Sequence, residues 1–297
     1  METHIPVLKK EIIKYLKPNP NENFIDATFN GGGHSIEILE KTKPNGKILG
    51  IELDRELLEE TKNKIKNPEI KKRLILINDN FKNLKEIVKK VCPDWKERVS
   101  GIIFDLGFSS WHIEKSKRGF SFMKDEILDM RYDKKSDLRA IDILNKWQER
   151  DIEKILREYG EEKYSKKIAK AIVEERRKKP ILKTSELSCL VEKIVRKRGK
   201  IHPSTKTFQA LRIAVNQELE NLKEVLPQAI EVLKSKGRLV IISFHSLEDR
   251  IVKNFFKEKA KEGVIEILTK KPIIPSKKEI KENPRSRSAK LRAIKKI

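Results

Sequence analysis

Four short apolar runs each end in residues that can do chemistry. The first, Phe24-Ile25-Asp26-Ala27-Thr28-Phe29, opens into Asn30-Gly31-Gly32-Gly33-His34-Ser35. Consecutive glycines let a backbone turn sharply and approach a ligand where a Cβ would collide, although a glycine run alone is as often only a tight turn. The second run ends Gly50-Ile51-Glu52-Leu53-Asp54. Glu52 follows the glycines by about 20 residues, the place where an acid accepts hydrogen bonds from both ribose hydroxyls of a nucleoside. Asp54, directly ahead of a charged helix, is the better helix-start acid. The third run ends Asn78-Asp79-Asn80-Phe81. A polar residue there meets an adenine edge, and Phe81 either covers the adenine face or packs in the core.

This layout serves NAD and S-adenosylmethionine alike. The loop lacks the spaced G-x-G-x-x-G that cradles a pyrophosphate, and S-adenosylmethionine has no pyrophosphate, so the pattern favours the methyl donor over a nicotinamide dehydrogenase. The fourth run ends Phe104-Asp105-Leu106-Gly107-Phe108-Ser109-Ser110. Methyl transfer is an in-line displacement that needs alignment more than acid–base power. Where the acceptor is an exocyclic base amine, groups that hold its N–H bonds stabilise the developing charge. Asp105 is the candidate for that work, with Ser109 as helper. Its other reading is ligand binding alone, a grip on the cofactor's amino group.

Downstream, Arg118-Gly119-Phe120-Ser121-Phe122 and Leu128-Asp129-Met130-Arg131-Tyr132 combine aromatic and basic residues. RNA readers stack splayed bases on rings and hold their polar edges, which makes Phe120, Phe122 and Arg131 substrate-site candidates. Both rings equally suit anchoring a domain. His245 and Ser246 suggest a hydrolase only superficially: no nucleophile elbow surrounds them, and Ser246 with Asp249 fits a helix capping box.

These residues need a scaffold. Asn23–Phe29, Lys47–Leu53, Arg73–Asp79, Val99–Leu106 and Gly237–Phe244 read as buried parallel strands, with helical stretches at Ser35–Lys41 and Arg55–Lys66 between the first three. Strand, helix, strand at this rhythm predicts a doubly wound, mostly parallel α/β sheet. Val264–Thr269 is a sixth strand at the sheet edge. About 130 residues without a convincing strand separate the fourth and fifth strands, too many for an ordinary crossover. They carry helical periodicity at Ile141–Leu156 and Tyr164–Lys179, the latter ending Arg176-Arg177-Lys178-Lys179. The expected organisation is a sheet domain at 1–107 and 206–297 with an inserted helical substrate-recognition domain at 108–205, its far boundary near Gly199–Lys206. The apolar stripe Phe208, Leu211, Val215, Leu219, Leu222 and Leu226 predicts one long helix, interrupted by Pro227, with Gly237 stopping the following segment. The basic stretch from Asn283 onward is expected to order on a partner.

The 297 residues carry 68 Lys+Arg against 45 Asp+Glu, a formal charge of +23. Such a surplus suggests a polyanionic partner; a thermophile's charged surface explains the number of charges but not the imbalance. Cys92 and Cys189 form no CxxC pattern, and no two of the five histidines fall at metal-ligand spacing, so no metal is expected and the compartment is a reducing one. No window approaches a membrane span, which places the expected protein in the cytoplasm.

Eight segments in order carry a resemblance along nearly the whole chain. They are His4–Leu8, the Asp26–His34 loop, Asp105-Leu106-Gly107 with Ser109-Ser110, Arg118–Phe122, Leu128–Arg131, Tyr159–Glu162, Thr207–Arg212 and Ser243–Arg250. In these the chain resembles the ribosomal RNA small subunit methyltransferase H family. The resemblance implies a Rossmann-like class I methyltransferase fold and S-adenosylmethionine as cofactor. It implies methylation of the N4 of a cytosine of 16S ribosomal RNA at the decoding centre (P site), within the small subunit. It also implies cofactor contacts from Gly32, Gly33, His34, Glu52, Phe81 and Asp105. A further family contact, usually Gln, falls on His112; Asn30 and Gly31 stand where Gly and Arg are usual, and Glu52 where Asp is common. The competing expectation is a catalytically inert RNA-binding assembly factor that retains the fold, against which the intact loop, Glu52 and Asp105 argue.

Overall fold

Strands covered by helices on both faces bury every side chain, and the apolar runs fold accordingly. In the computed structural model, residues 6–95, 98–195 and 202–297 are described. β1 Asn23–Asp26, β2 Ile48–Glu52, β3 Leu74–Asn78, β4 Val99–Asp105, β5 Leu233–Ser243, β6 Ile265–Ile267 and β7 Lys290–Lys296 form one sheet in the order β3-β2-β1-β4-β5-β7-β6. The first five run parallel, and β7 runs antiparallel to both β5 and β6. β2 and β4 are buried at every position. The doubly wound, mostly parallel sheet expected from the sequence is present. Strand order reverses between β1 and β4, which opens a crevice at their carboxyl ends.

The chain forms two compact units, Met1–Ser109 with Leu219–Ile297, and Ser110–Glu218. In the first, α1 Lys9–Leu16 and α2 Gly33–Lys41 lie on one sheet face, their Leu8, Ile12, Leu16, Ile38 and Leu39 sharing a core with Phe24, Ile48, Ile103, Val240 and Ile242. α3 Arg55–Lys64 and α4 Pro68–Arg73 add Leu58 and Ile70 to that face. The opposite face packs Ile25, Leu49, Ile102, Phe104 and Ile241 against α5 Leu84–Val91 and elements further along the chain. In the second unit, α6 Ser110–Glu114, α7 Ala140–Lys146, α8 Glu149–Glu158, α9 Ser165–Arg176, α10 Thr184–Ile194 and α11 Thr205–Asn216 are helical. Five of them, α7 to α11, bury a separate apolar core around Ile143, Leu156, Ile168, Leu187 and Leu211. The chain returns through α12 Glu218–Val232, α13 Ser246–Lys261 and α14 Lys277–Glu282.

Several expectations need correction. The long helix is two: Gln217 adopts a left-handed φ of 51° and closes α11, while Pro227 sits inside α12 instead of interrupting it. Burial of Val225, Leu226, Ala229 and Ile230 around the proline outweighs the one hydrogen bond it removes. Because Phe208, Ala210, Leu211 and Val215 pack into the helical core, α11 joins the helical unit, which ends at Glu218 and not near 205; Gly199 lies outside the described residues. Ile141–Leu156 is likewise two helices, α7 and α8. β5 begins at Leu233, and Gly237 lies within it, where its register with β4 shifts.

The tail is the largest difference. Its last residues are β7, an inner strand with Leu291, Ala293 and Ile294 buried. Read as a basic tail, Lys290–Lys296 hid an alternation of apolar Leu291, Ala293 and basic neighbours that marks a strand. Arg292 of β7 donates from Nε to Asp249 Oδ1 at 2.6 Å and from Nη2 to Asp249 Oδ2 at 3.2 Å. Asp249 therefore ties α13 to β7, and the capping box falls on its neighbours: His245 caps α13 and Glu248 returns the bond. We expect Asp249→Ala, which leaves the buried Arg292 guanidinium unpaired, to cost about 3 kcal/mol. Adding Arg292→Met should recover most of it. Denaturant unfolding of the single and double variants measures both.

Candidate active site

The loop after β1 is shaped first by the protein's own packing. Gly32 has a φ of +72°, and a Cβ there would lie 2.7 Å from the Phe29 ring; a Cβ on Gly33 would meet Pro6 at 2.4 Å. The glycines are thus demanded by Phe29 and Pro6, a reason the sequence reading did not offer. Asn30 also takes a left-handed φ of 48°. Glu52 fixes the outcome. Its Oε2 accepts the Asn30 N–H at 2.8 Å and its Oε1 accepts the Asp54 N–H at 2.9 Å. The carboxylate so joins the end of β2 to the loop after β1. Each oxygen retains lone-pair capacity, and a ribose diol needs just such acceptors. Asp54 caps α3, accepting from Glu56 and Leu57 N–H, as expected of it.

Asp105 ends β4, its own N–H donating to Thr28 Oγ1 at 2.6 Å. Asp105 Oδ2 stands 3.5 Å from His34 Nε2, with both side chains buried. Asp105 Oδ1 and both ring nitrogens of His34 are buried with no hydrogen-bond partner among the described residues. Such atoms cost free energy unless a ligand satisfies them. A third acid, Asp26 at the end of β1, accepts from Ser35 Oγ at 2.7 Å and from the Thr28 N–H at 3.3 Å. Sequence reasoning missed Asp26, though it ends an apolar strand as Glu52 and Asp105 do. Three buried acids on three adjacent strands make a region hungry for positive charge. Burial pushes Asp26 up to about 6, against the Ser35 bond and the nearby His34. It pushes Glu52 up to about 8, with Asp54 and Asp26 adding to the effect and the two N–H bonds opposing it.

This donor set fits the sulfonium nucleoside inferred from the sequence: acceptors for a diol on Glu52, and unsatisfied polar atoms on Asp105 and His34. Phe81 follows β3, its ring edge-on to Phe104 at 5.7 Å and only partly buried, so it packs on the core while keeping some surface. The polar residues beside it serve the backbone. Asn78 donates to the Glu52 and Leu53 carbonyls, and Asp79 accepts from the Asn80 N–H and the Asn83 amide. Ser109, at the end of this unit, is buried.

The remaining candidates lie in the helical unit. His112 is 2% exposed, its ring 5.1 Å from Phe120 and 4.9 Å from Tyr132. Phe120 is 7% exposed and stacks on Tyr132 at 5.3 Å, a core position that leaves no free face for a base. The anchoring role describes it. Phe122 stacks on His202 at 4.3 Å and meets Phe208 edge-on. Arg131 is likewise spent on its own loop: Nε and Nη2 each reach Asp129 at 2.8 Å, and Nη1 donates to the Lys134 and Ser136 carbonyls. Asn216, which the sequence did not single out, accepts the Tyr132 N–H and donates to the Met130 carbonyl, pinning the same loop to α11.

A model described as the MraW methylase family matches residues 1–297. The chain is 47% identical to the ribosomal RNA small subunit methyltransferase H of Caldicellulosiruptor saccharolyticus over a 313-residue alignment covering 100% of both chains. It is 47% identical to that of Persephonella marina over 300 residues, again covering 100% of each. Against that of Clostridioides difficile the identity is 40%, covering 99% of each.

Asp26 and Glu52 hold a proton more tightly in the fold than in the unfolded chain. The stability they contribute is therefore complete below the ordinary carboxylate range and is lost as pH climbs through about 6 and then about 8. We expect the melting temperature to fall by several degrees between about pH 5 and about pH 8.5. Asp26→Asn, whose amide can still serve both Thr28 and Ser35, should flatten the part of that decline near pH 6. Calorimetry across the range tests this, and an unaltered slope in the variant would clear Asp26 of responsibility.

Proposed function

The chain belongs to the MraW methylase family, and on that footing we propose that it methylates the exocyclic N4 of a cytosine of 16S ribosomal RNA near the decoding centre. S-adenosylmethionine is the donor, and the substrate is the RNA within the small ribosomal subunit, in the cytoplasm. Full-length identity to proteins named ribosomal RNA small subunit methyltransferase H is the observation that carries the reading. The charge of +23 suits an RNA partner. Among the described residues no helix is long and apolar enough to cross a membrane.

Glu52 would hold the ribose hydroxyls and Phe81 would cover the adenine, with Gly32, Gly33 and His34 supplying the loop contacts. When bound, S-adenosylmethionine supplies an electrophilic methyl group on a sulfonium sulfur. A cytosine amine is a weak nucleophile because its lone pair is delocalised into the ring. Asp105 Oδ1, unpartnered among the described residues, accepts an N–H of that amine and so returns electron density to the nitrogen as it attacks. Ser109, buried beside the end of β4, assists. His112 stands where the family usually has a Gln cofactor contact, its ring packed against Phe120 and Tyr132, and Phe122 is the aromatic candidate for the RNA.

Asp105→Ala should abolish methyl incorporation into small-subunit RNA, a loss of at least about 100-fold, while RNA affinity stays within a few-fold. A radiolabelled methyl-transfer assay with mass mapping of the modified nucleoside reads the first, and filter binding the second. Cofactor binding by the wild type without incorporation would favour an inert assembly factor instead. RNA affinity should also fall by about 100-fold or more between about 50 and 200 mM salt, and a flat response would contradict the polyanion argument.

A further inference from the structure

Asp105 and His34 form a buried pair in which Asp105 Oδ1 and both imidazole nitrogens have no hydrogen-bond partner among the described residues. Asp105 Oδ2 and His34 Nε2 are 3.5 Å apart. His34 is 7% exposed and Asp105 6%. Around the imidazole stand Asp105 from β4 and Asp26 from β1, and no described lysine or arginine is paired with either acid. A histidine buried for packing alone ordinarily has at least one ring nitrogen hydrogen-bonded. Here both are left open, and one of them faces the acid that the proposed chemistry uses.

We propose that His34 is a positioning and proton-accepting residue that acts through Asp105. The inference rests on the methyltransferase reading of this site. The chemistry requires a proton acceptor. The nitrogen–methyl bond forms from the amine lone pair, the methyl–sulfur bond breaks with its electrons left on sulfur, and the nitrogen must shed one proton. Asp105 takes that proton from the amine, and His34 Nε2 takes it from Asp105 across the short gap, restoring the carboxylate. The imidazole then releases it to solvent after the turnover. A carboxylate without this neighbour would have to hold the proton in a buried place until product leaves.

The test separates proton transfer from architecture. His34→Ala should lower single-turnover methyl transfer by about 100-fold, and added imidazole should restore much of it, with the restored rate depending on the basicity of substituted imidazoles. In Asp105→Asn with His34→Ala, imidazole should restore nothing. Far-UV circular dichroism and cooperative thermal unfolding, read without cofactor or RNA, should confirm that each variant retains its fold. In the free wild-type protein the ring 15N signals of His34 should move on Asp105→Asn. A folded His34→Ala variant that gains nothing from imidazole at saturating S-adenosylmethionine, or ring signals indifferent to Asp105→Asn, would overturn the proposal. Wild-type protein that fails to methylate the RNA while its ring signals still respond to Asp105→Asn would instead sink the functional reading beneath it.

Discussion

The site depends on a carboxylate held without a cation. Glu52 has no lysine or arginine among its hydrogen-bond partners; it closes on two backbone N–H groups, one from the loop after β1 and one from the start of α3. Burial opposes its charge and the amides favour it, so the residue is poised between structural tie and ligand acceptor. Everything around it follows from that tie. Asn30 can occupy its left-handed conformation because Glu52 receives its N–H. Phe29 then turns its ring inward, under Gly32 and against Gly50, neither of which could carry a Cβ. The loop proposed to meet the cofactor is thereby set by packing and hydrogen bonding within the protein.

This arrangement illustrates a general economy of α/β sites. Parallel strands bring successive carboxyl ends to one edge, and short side chains there share a region while their backbones stay in the ladder. Asp26, Glu52 and Asp105 occupy such ends on β1, β2 and β4. Burying three acids together disfavours their charged forms, which is why Asp26 and Glu52 hold protons more tightly, and a cationic ligand would favour the charged forms again. A sulfonium nucleoside bearing an ammonium group answers that demand on two counts.

Most of the sheet was legible because continuous apolar runs with turn residues behind them have few alternatives. The placement of Asp105, Glu52 and the glycine loop at strand ends was legible for the same reason: they sit where those runs stop. What the sequence concealed depended on tertiary choice. β7 was masked by Lys290, Arg292 and Lys295, of which Arg292 is paired with Asp249 inside the protein. The break at Gln217 has no glycine to announce it, since a non-glycine residue carries the left-handed turn. Arg131 and Phe120 looked like recognition residues because type alone cannot tell a guanidinium bound to its own loop from one awaiting a phosphate. Asn216 was invisible because its value lies wholly in reaching the Met130 and Tyr132 backbone across 86 and 84 positions of chain.

The placement of Ser110–Glu218 between β4 and β5 bears on how the molecule assembles. These two strands are neighbours in the ladder, so their pairing waits until the whole intervening segment has been synthesised. During that interval β4 is an open edge, a template for mispairing with other chains. A segment that collapses around its own apolar core, as this one does, shortens the search, because closing a compact loop costs less entropy than closing a floppy one. The independent core of the helical unit is thus also a folding aid, shortening the time for which β4 stays unpaired on the side that β5 will fill.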